Sequence, residues 1–380
     1  MGLSPLGHLS ALGQSVWIDF LSRESIREGH LQKLIDESSV VGATSNPTIF
    51  QKAMTVGNAY DEQLRKEAGR GSNVRETFWA LAQRDIEDAC DLFRPMWDGG
   101  AGRDGYVSLE VDPGLAYDTL ATYREAIRIH EAVDRPNLMV KIPATKPGLA
   151  AIEDVIAKGH SINVTLIFSL RRYADVAESY TRGIERLVAA GGDPSKVASV
   201  ASFFVSRIDT EADRRLDELD RLGPAHPGGV SIHELKGKLA IANAKLAYQH
   251  YKRAFAGERW EYLAGKGATP QRVLWASTST KNPAYRDTIY VEELIGADTV
   301  NTMPEATIHD FQDHGKPAPR LEQGLAEARQ LLDQLAAAGV DYDDLTDTLE
   351  REGVEKFSAS FDELLQALGE KQAALASAQE

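Results

Sequence analysis

One cysteine, Cys90, is present among 380 residues. A single thiol excludes an intrachain disulfide and cannot build a thiolate metal site alone. Its setting, DIEDACDLF, spaces apolar residues as a helix does, so a buried structural thiol is expected instead of a nucleophile. Positive charge is also scarce: 42 Lys and Arg against 57 Asp and Glu give a formal net charge of −15. That balance repels nucleic acid and anionic membranes at long range, so neither is an expected partner, and an anionic ligand needs a local cluster of cations. No stretch approaches the roughly 20 apolar residues that span a bilayer. The first residues, MGLSPLGHLSALGQS, lack a cationic start followed by an apolar segment, and a cytoplasmic location is expected. Neither a P-loop motif nor a strand-borne GxGxxG occurs, which removes the usual signals for nucleotide phosphates and dinucleotides. Solenoid-length repeats and low-complexity tracts are missing as well.

What is there is an ordinary globular composition, 43% hydrophobic and 26% charged. Short β-branched runs recur: VWIDF (16–20), VVGATSN (40–46), YVSLEVD (106–112), NLMVKIPA (137–144), SINVTLIF (161–168), VASVASFFVS (197–206), RVLWAST (272–278) and DTVNTMPE (298–305). Between most of them lie helix-period segments such as SLRRYADVAESYTRGIERLVAAGG, amphipathic and ending in a glycine pair suited to a C-cap. Eight strands alternating with helices predict a closed (β/α)₈ barrel more readily than an open sheet. Residues 52–104 and 306–380 carry helical patterns without clear strands, so a single domain over 1–380 with a helical insertion and a helical C-terminal extension is expected. The tract LGPAHPGGVS (222–231) is too short to separate domains and reads as a connection between barrel units.

In such a barrel the reactive groups project from the C-terminal ends of the strands. The polar residues there are Asp19; Thr44, Ser45 and Asn46; Glu110 and Asp112; Lys141; Asn163 and Thr165; Ser202, Ser206 and Arg207; Ser277; and Thr302. Polar groups in apolar strands cost free energy unless partnered, so their recurrence predicts one polar pocket in the barrel mouth. Lys141, in NLMVKIPATKPG, stands out because desolvation disfavours an ammonium and so favours the neutral amine that attacks carbonyls. A lysine at a strand end also snorkels to solvent or pairs with a carboxylate. Glu110, one βα unit earlier, and Asp19 on the first strand suit the proton transfers of a Schiff-base reaction, and each also suits a structural ion pair. Arg207 and Lys281, with Ser277 as hydroxyl donor, suit a phosphate group, although a lone arginine at a strand end is also a common salt-bridge former. HDFQDH (309–314) gathers His309, Asp310, Asp313 and His314, but its spacing matches no ligand pattern and a solvated helix start is expected there.

Seven motifs in order, WIDFLS (17–22), TSNPTIF (44–50), SLEVDP (108–113), VKIPAT (140–145), INVTLIFS (162–169), SFFVSRID (202–209) and ASTSTKNP (276–283), resemble those of the transaldolase family, in its longer bacterial form. The resemblance implies that Lys141 forms a Schiff base with the C2 carbonyl of a ketose phosphate and that Asp19 is the acid/base for carbon–carbon cleavage. It also implies that Glu110 and Thr165 hold the water of dehydration and hydrolysis, and that Asn46, Asn163 and Ser202 bind a dihydroxyacetone unit. Arg207 corresponds to a phosphate-binding arginine. Where many family members have Ser-Phe-Arg-Asn this chain reads STSTKN (277–282), so Lys281 would take an arginine's place within a longer loop. The implied partners are sugar phosphates, with no metal and no organic cofactor, in a monomer or homodimer. Within the family a free aldolase, releasing dihydroxyacetone, favours Tyr over Glu at the water-positioning site, so Glu110 argues for transfer. A non-catalytic binding barrel would be expected to lose the lysine or its carboxylates.

Overall fold

The computed structural model describes residues 3–222 and 231–377. Eight parallel strands close into a barrel in sequence order: β1 (Gln14–Ile18), β2 (Val40–Thr44), β3 (Val107–Glu110), β4 (Leu138–Pro143), β5 (Ile162–Ile167), β6 (Ser199–Phe204), β7 (Arg272–Ala276) and β8 (Thr299–Met303). Seven fall within the β-branched runs, and β1 overlaps VWIDF but begins two residues earlier, at Gln14. Almost every strand residue is buried, as expected where one face fills the barrel and the other lies under helices. The connecting tract 222–231 falls almost wholly outside the described residues.

Strand register sets the height of each side chain in the barrel. Glu110 stands opposite Lys141, Lys141 opposite Asn163, and Pro143 opposite Thr165, so the groups singled out on β3, β4 and β5 form adjacent steps of one wall. The β5–β6 ladder slips between Val164 and Ile167, where Leu166 takes a left-handed φ of 60°. A bulge of this kind re-aims side chains at the end of a strand, and a leucine held there is strained. Ser277, just past β7, is left-handed as well, with φ 57°.

Helices Asp61–Gly69 and Val74–Gly99 fill most of the stretch between β2 and β3. Cys90 lies fully buried on the second of these, and burial pushes its thiol far above the ordinary range, consistent with a structural role. After β8 come helices Glu305–His314, Leu325–Ala338 and the long Tyr342–Ser377. The last packs against Pro47–Thr55, Asp61–Gly69, Val74–Gly99 and Ser206–Leu222, and so crosses the C-terminal end of the barrel. Among the described residues no helix is long and apolar enough to cross a membrane.

HDFQDH is the end of a helix, not its start. The helix Glu305–His314 begins at Glu305, immediately behind Pro304 at its N-cap, because β8 ends at Met303 and the turn is taken at once. His314 is spent on Asp287 and Asp313, at 2.9 and 3.2 Å. No group of three or more His, Cys, Asp or Glu residues is arranged to hold a metal ion among the described residues.

Candidate active site

The C-terminal mouth of the barrel encloses a cavity of about 340 Å³, within the range of small-molecule sites. Lys141 lies at its base, 4% exposed. Its Nζ is 3.3 Å from Glu110 Oε2 and donates to the Ser45 carbonyl oxygen at 3.2 Å. Glu110 does not line the cavity wall but backs the lysine, and both its carboxylate oxygens lack a hydrogen-bond partner, the lysine being at ion-pair range only. Burial pushes its carboxyl up to about 6 against the pull of Lys141. Thr165 lines the cavity, and its buried hydroxyl also has no partner. Buried polar atoms are almost always satisfied, so two unpaired groups beside a desolvated lysine mark a place for a water or a substrate oxygen.

Asp19 follows β1 directly and is half-buried on the opposite wall, where its Oδ1 accepts from Thr44 Oγ1 at 2.7 Å. Thr44 in turn meets Thr302 Oγ1 at 2.8 Å, so β2 and β8 together fix the carboxylate. Asn46 has a local reason to be where it is: its Oδ1 accepts from the Ile49 amide at 3.0 Å, capping a helix that opens with Pro47. The cap also places Asn46, Thr48, Ile49 and Lys52 along the cavity rim. Ser202 lines the cavity and donates to Asn163 Oδ1 at 2.7 Å, while Asn163 Nδ2 donates to Ser108 Oγ at 3.0 Å. Asn163 therefore sits beneath the cavity floor and orients Ser202.

Three of the strand-end polar residues behave differently from their sequence reading. Arg207 is not on a strand; it lies in the first turn of helix Ser206–Leu222, because β6 ends at Phe204. Ser206, the first residue of that helix, is tied to Ser277 at 2.9 Å between hydroxyl oxygens. Asp112 faces away from the cavity, where it pairs with Arg75 and caps the turn Pro113–Leu115. Arg207 makes no ion pair among the described residues; its guanidinium is flanked by the rings of Phe204 and Phe357, at 5.3 and 5.9 Å. Desolvation lowers its affinity for the proton, opposed by Asp19, Glu110 and Glu352. Lys281 is exposed at the rim and donates to Ser279 Oγ at 2.7 Å; desolvation and then Arg207 hold its ammonium below the ordinary lysine value. With Ser277 and Ser279 also on the wall, this side of the cavity is an anion-seeking surface within an acidic protein.

Lys52, Thr48 and Phe357 belong to the cavity and escaped the sequence reading. For Thr48 and Lys52 a signal existed, since a helix capped by Asn46 brings both to one face four residues apart. For Phe357, more than 200 residues beyond Lys141, local pattern offered none. A larger groove of about 420 Å³ lies outside the barrel between helices Leu239–Ala254 and Leu325–Ala338, and it holds none of the strand-end groups.

A model of the transaldolase/fructose-6-phosphate aldolase family matches residues 16–368. The chain belongs to that family. Among curated relatives, the protein named Transaldolase of Acidothermus cellulolyticus is 53% identical over 365 residues, covering 96% of each chain. One of the same name from Saccharopolyspora erythraea is 52% identical, covering 97% of this chain and 98% of its own. Another, from Mycobacterium bovis, is 50% identical over 95% of each. The family match runs from within β1 through β8 and into helix Tyr342–Ser377, so in this member of the transaldolase/fructose-6-phosphate aldolase family most of the helix crossing the mouth, Phe357 included, lies within the shared region.

Proposed function

We propose that this protein is a transaldolase, carrying a dihydroxyacetone unit from sedoheptulose 7-phosphate or fructose 6-phosphate to glyceraldehyde 3-phosphate or erythrose 4-phosphate. The observation that carries this reading is Lys141 buried at the base of the cavity, in an ion pair with a Glu110 whose oxygens accept no hydrogen bond. The amine of Lys141 adds to the C2 carbonyl of the ketose, and Glu110, through a water shared with Thr165, protonates the hydroxyl that leaves as water. A carboxyl held near 6 suits both giving and taking that proton at neutral pH.

With the iminium formed, Asp19 removes the proton of the C4 hydroxyl. The C3–C4 bond breaks, its electron pair passes into the enamine, and the aldose phosphate departs. The enamine then attacks the acceptor aldehyde, Asp19 returns the proton to the new hydroxyl, and water held by Glu110 and Thr165 hydrolyses the iminium. Ser202 and Asn46 hold the dihydroxyacetone hydroxyls, with Asn163 orienting Ser202, while Arg207, Ser277 and Lys281 receive the phosphate. The proposal includes a cytoplasmic, monomeric or homodimeric enzyme, the assembly being read by light scattering in solution.

The test is borohydride trapping: incubation with fructose 6-phosphate, reduction, digestion and mass spectrometry of the peptide containing Lys141. A dihydroxyacetone-derived adduct on Lys141, together with acceptor-dependent turnover, supports transfer. Turnover without an adduct overturns the mechanism, and release of free dihydroxyacetone with no acceptor dependence assigns the chain to the aldolase side of its family.

A further inference from the structure

Helix Tyr342–Ser377 starts outside the barrel and ends outside it, yet one of its side chains enters the site. Phe357 is 5% exposed and lines the cavity, with its ring centre 5.7 Å from Lys141 Nζ and 5.9 Å from Arg207 Cζ. One turn earlier is Gly353, where a Cβ would come within 3.0 Å of Leu166 Cδ2. The missing side chain lets the helix settle onto the bulge that follows Thr165, and this close approach delivers Phe357 over the lysine.

The helix is tied down on both sides of the mouth. Near its start Tyr342 donates to Asn243 Oδ1 at 2.7 Å and Glu350 pairs with Arg172 at 2.9 Å. Farther along, Thr48 donates to Ser360 Oγ at 3.0 Å and Lys371 pairs with Asp61 at 3.0 Å. Anchors to the β5 side and to the β2 side hold Phe357 across the opening.

We propose that Phe357 is a positioning residue that keeps water and its protons from the enamine on Lys141, and so decides between transfer and release. This rests on the Schiff-base reading above. The enamine has two fates. Attack of C3 on an acceptor aldehyde makes the new carbon–carbon bond; protonation of C3 from solvent instead gives the iminium of dihydroxyacetone, which one water hydrolyses to free dihydroxyacetone and the amine. The second route needs solvent at the nitrogen and at C3, and an apolar ring over the lysine excludes it while its π-face tolerates the cationic iminium.

The test measures free dihydroxyacetone released per dihydroxyacetone unit transferred, at limiting acceptor, together with deuterium incorporated at C3 in heavy water. Phe357→Ala is expected to raise both several-fold, Phe357→Leu to raise them less, and both variants are expected to keep the reducible adduct on Lys141. A ratio unchanged in both variants, with the adduct still formed, overturns the proposal; should Phe357→Ala not fold, Phe357→Leu alone decides it in the same way. If the unaltered protein forms no adduct, it is the Schiff-base reading that fails, not the role of Phe357.

Discussion

The barrel holds a cation–carboxylate pair at each end, buried at the mouth and partly buried at the floor, and the two are built on opposite rules. At the N-terminal floor Arg272, the first residue of β7, pairs with Asp104 at 2.9 Å and donates to Ser15 Oγ at 2.8 Å and to the Arg103 carbonyl oxygen. Asp104 also accepts from Ser15 at 2.9 Å and from Trp17 Nε1 at 3.4 Å. At the mouth Lys141 and Glu110 are 3.3 Å apart, with both Glu110 oxygens outside any hydrogen bond. A guanidinium that is always charged, donating from both terminal nitrogens into a closed network, is a plug. A lysine beside an under-satisfied carboxylate has protons to exchange and a place for a third group, which separates a structural ion pair from a reactive one.

The strongest way to break this contrast is Lys141→Ala. Turnover is expected to fall by on the order of 10⁴-fold or more, as when a covalent nucleophile is removed, while the circular dichroism spectrum persists. Substantial remaining activity would make the mouth pair structural like the floor pair.

Glu110→Gln comes next, with a loss of roughly 10²–10⁴-fold expected for a removed acid/base and with slower borohydride trapping. In the unaltered protein kcat/KM should fall as pH drops below about 6, where Glu110 protonates, and the Gln variant should lack that inflection. The stability sign is the reverse of the usual paired carboxylate. Because burial raises this carboxyl from 4.5 to about 6, ionising it opposes folding, a cost absent below 4.5 and complete above about 6.

At the floor, Arg272→Met strands Asp104, whose side chain keeps 20% exposure. A loss toward the lower end of the roughly 3–5 kcal/mol for breaking a buried pair is expected in denaturant unfolding, with kcat/KM of the folded enzyme unchanged. An equal loss of activity would connect the two ends of the barrel. Smaller effects belong to the rim. Arg207→Ala should raise KM for fructose 6-phosphate by about 10- to 100-fold, as for loss of a charged hydrogen bond, without altering Lys141 trapping by unphosphorylated dihydroxyacetone. Lys281→Ala, at an exposed position, should raise the same KM by about 2- to 5-fold.

Much of the wall around Lys141 was readable from strand order alone. Glu110, Lys141 and Asn163 stand side by side in register on adjacent strands, and a parallel barrel in sequence order makes sequential strands neighbours. What could not be read was depth and direction. Asp112, two residues past Glu110, points out to Arg75; Asn163 lies below the cavity instead of on it; Arg207 has left its strand for a helix. A shift of one residue, or of half a turn, moves a side chain to another face, and polar residue type does not record it.

The sequence by itself determined the eight strands, the buried helical setting of Cys90 and the acidic charge that makes a cluster of cations meaningful. These depend on short-range preferences: β-branched packing, caps and turns act over a few residues. Only the tertiary structure decided that Arg207 makes no ion pair among the described residues, that Glu110 is left without a hydrogen bond beside Lys141, and that Phe357 reaches across the mouth. Each of those depends on barrel closure and on a helix docked from the far end of the chain, where the partners are tens to hundreds of residues apart and no periodicity connects them.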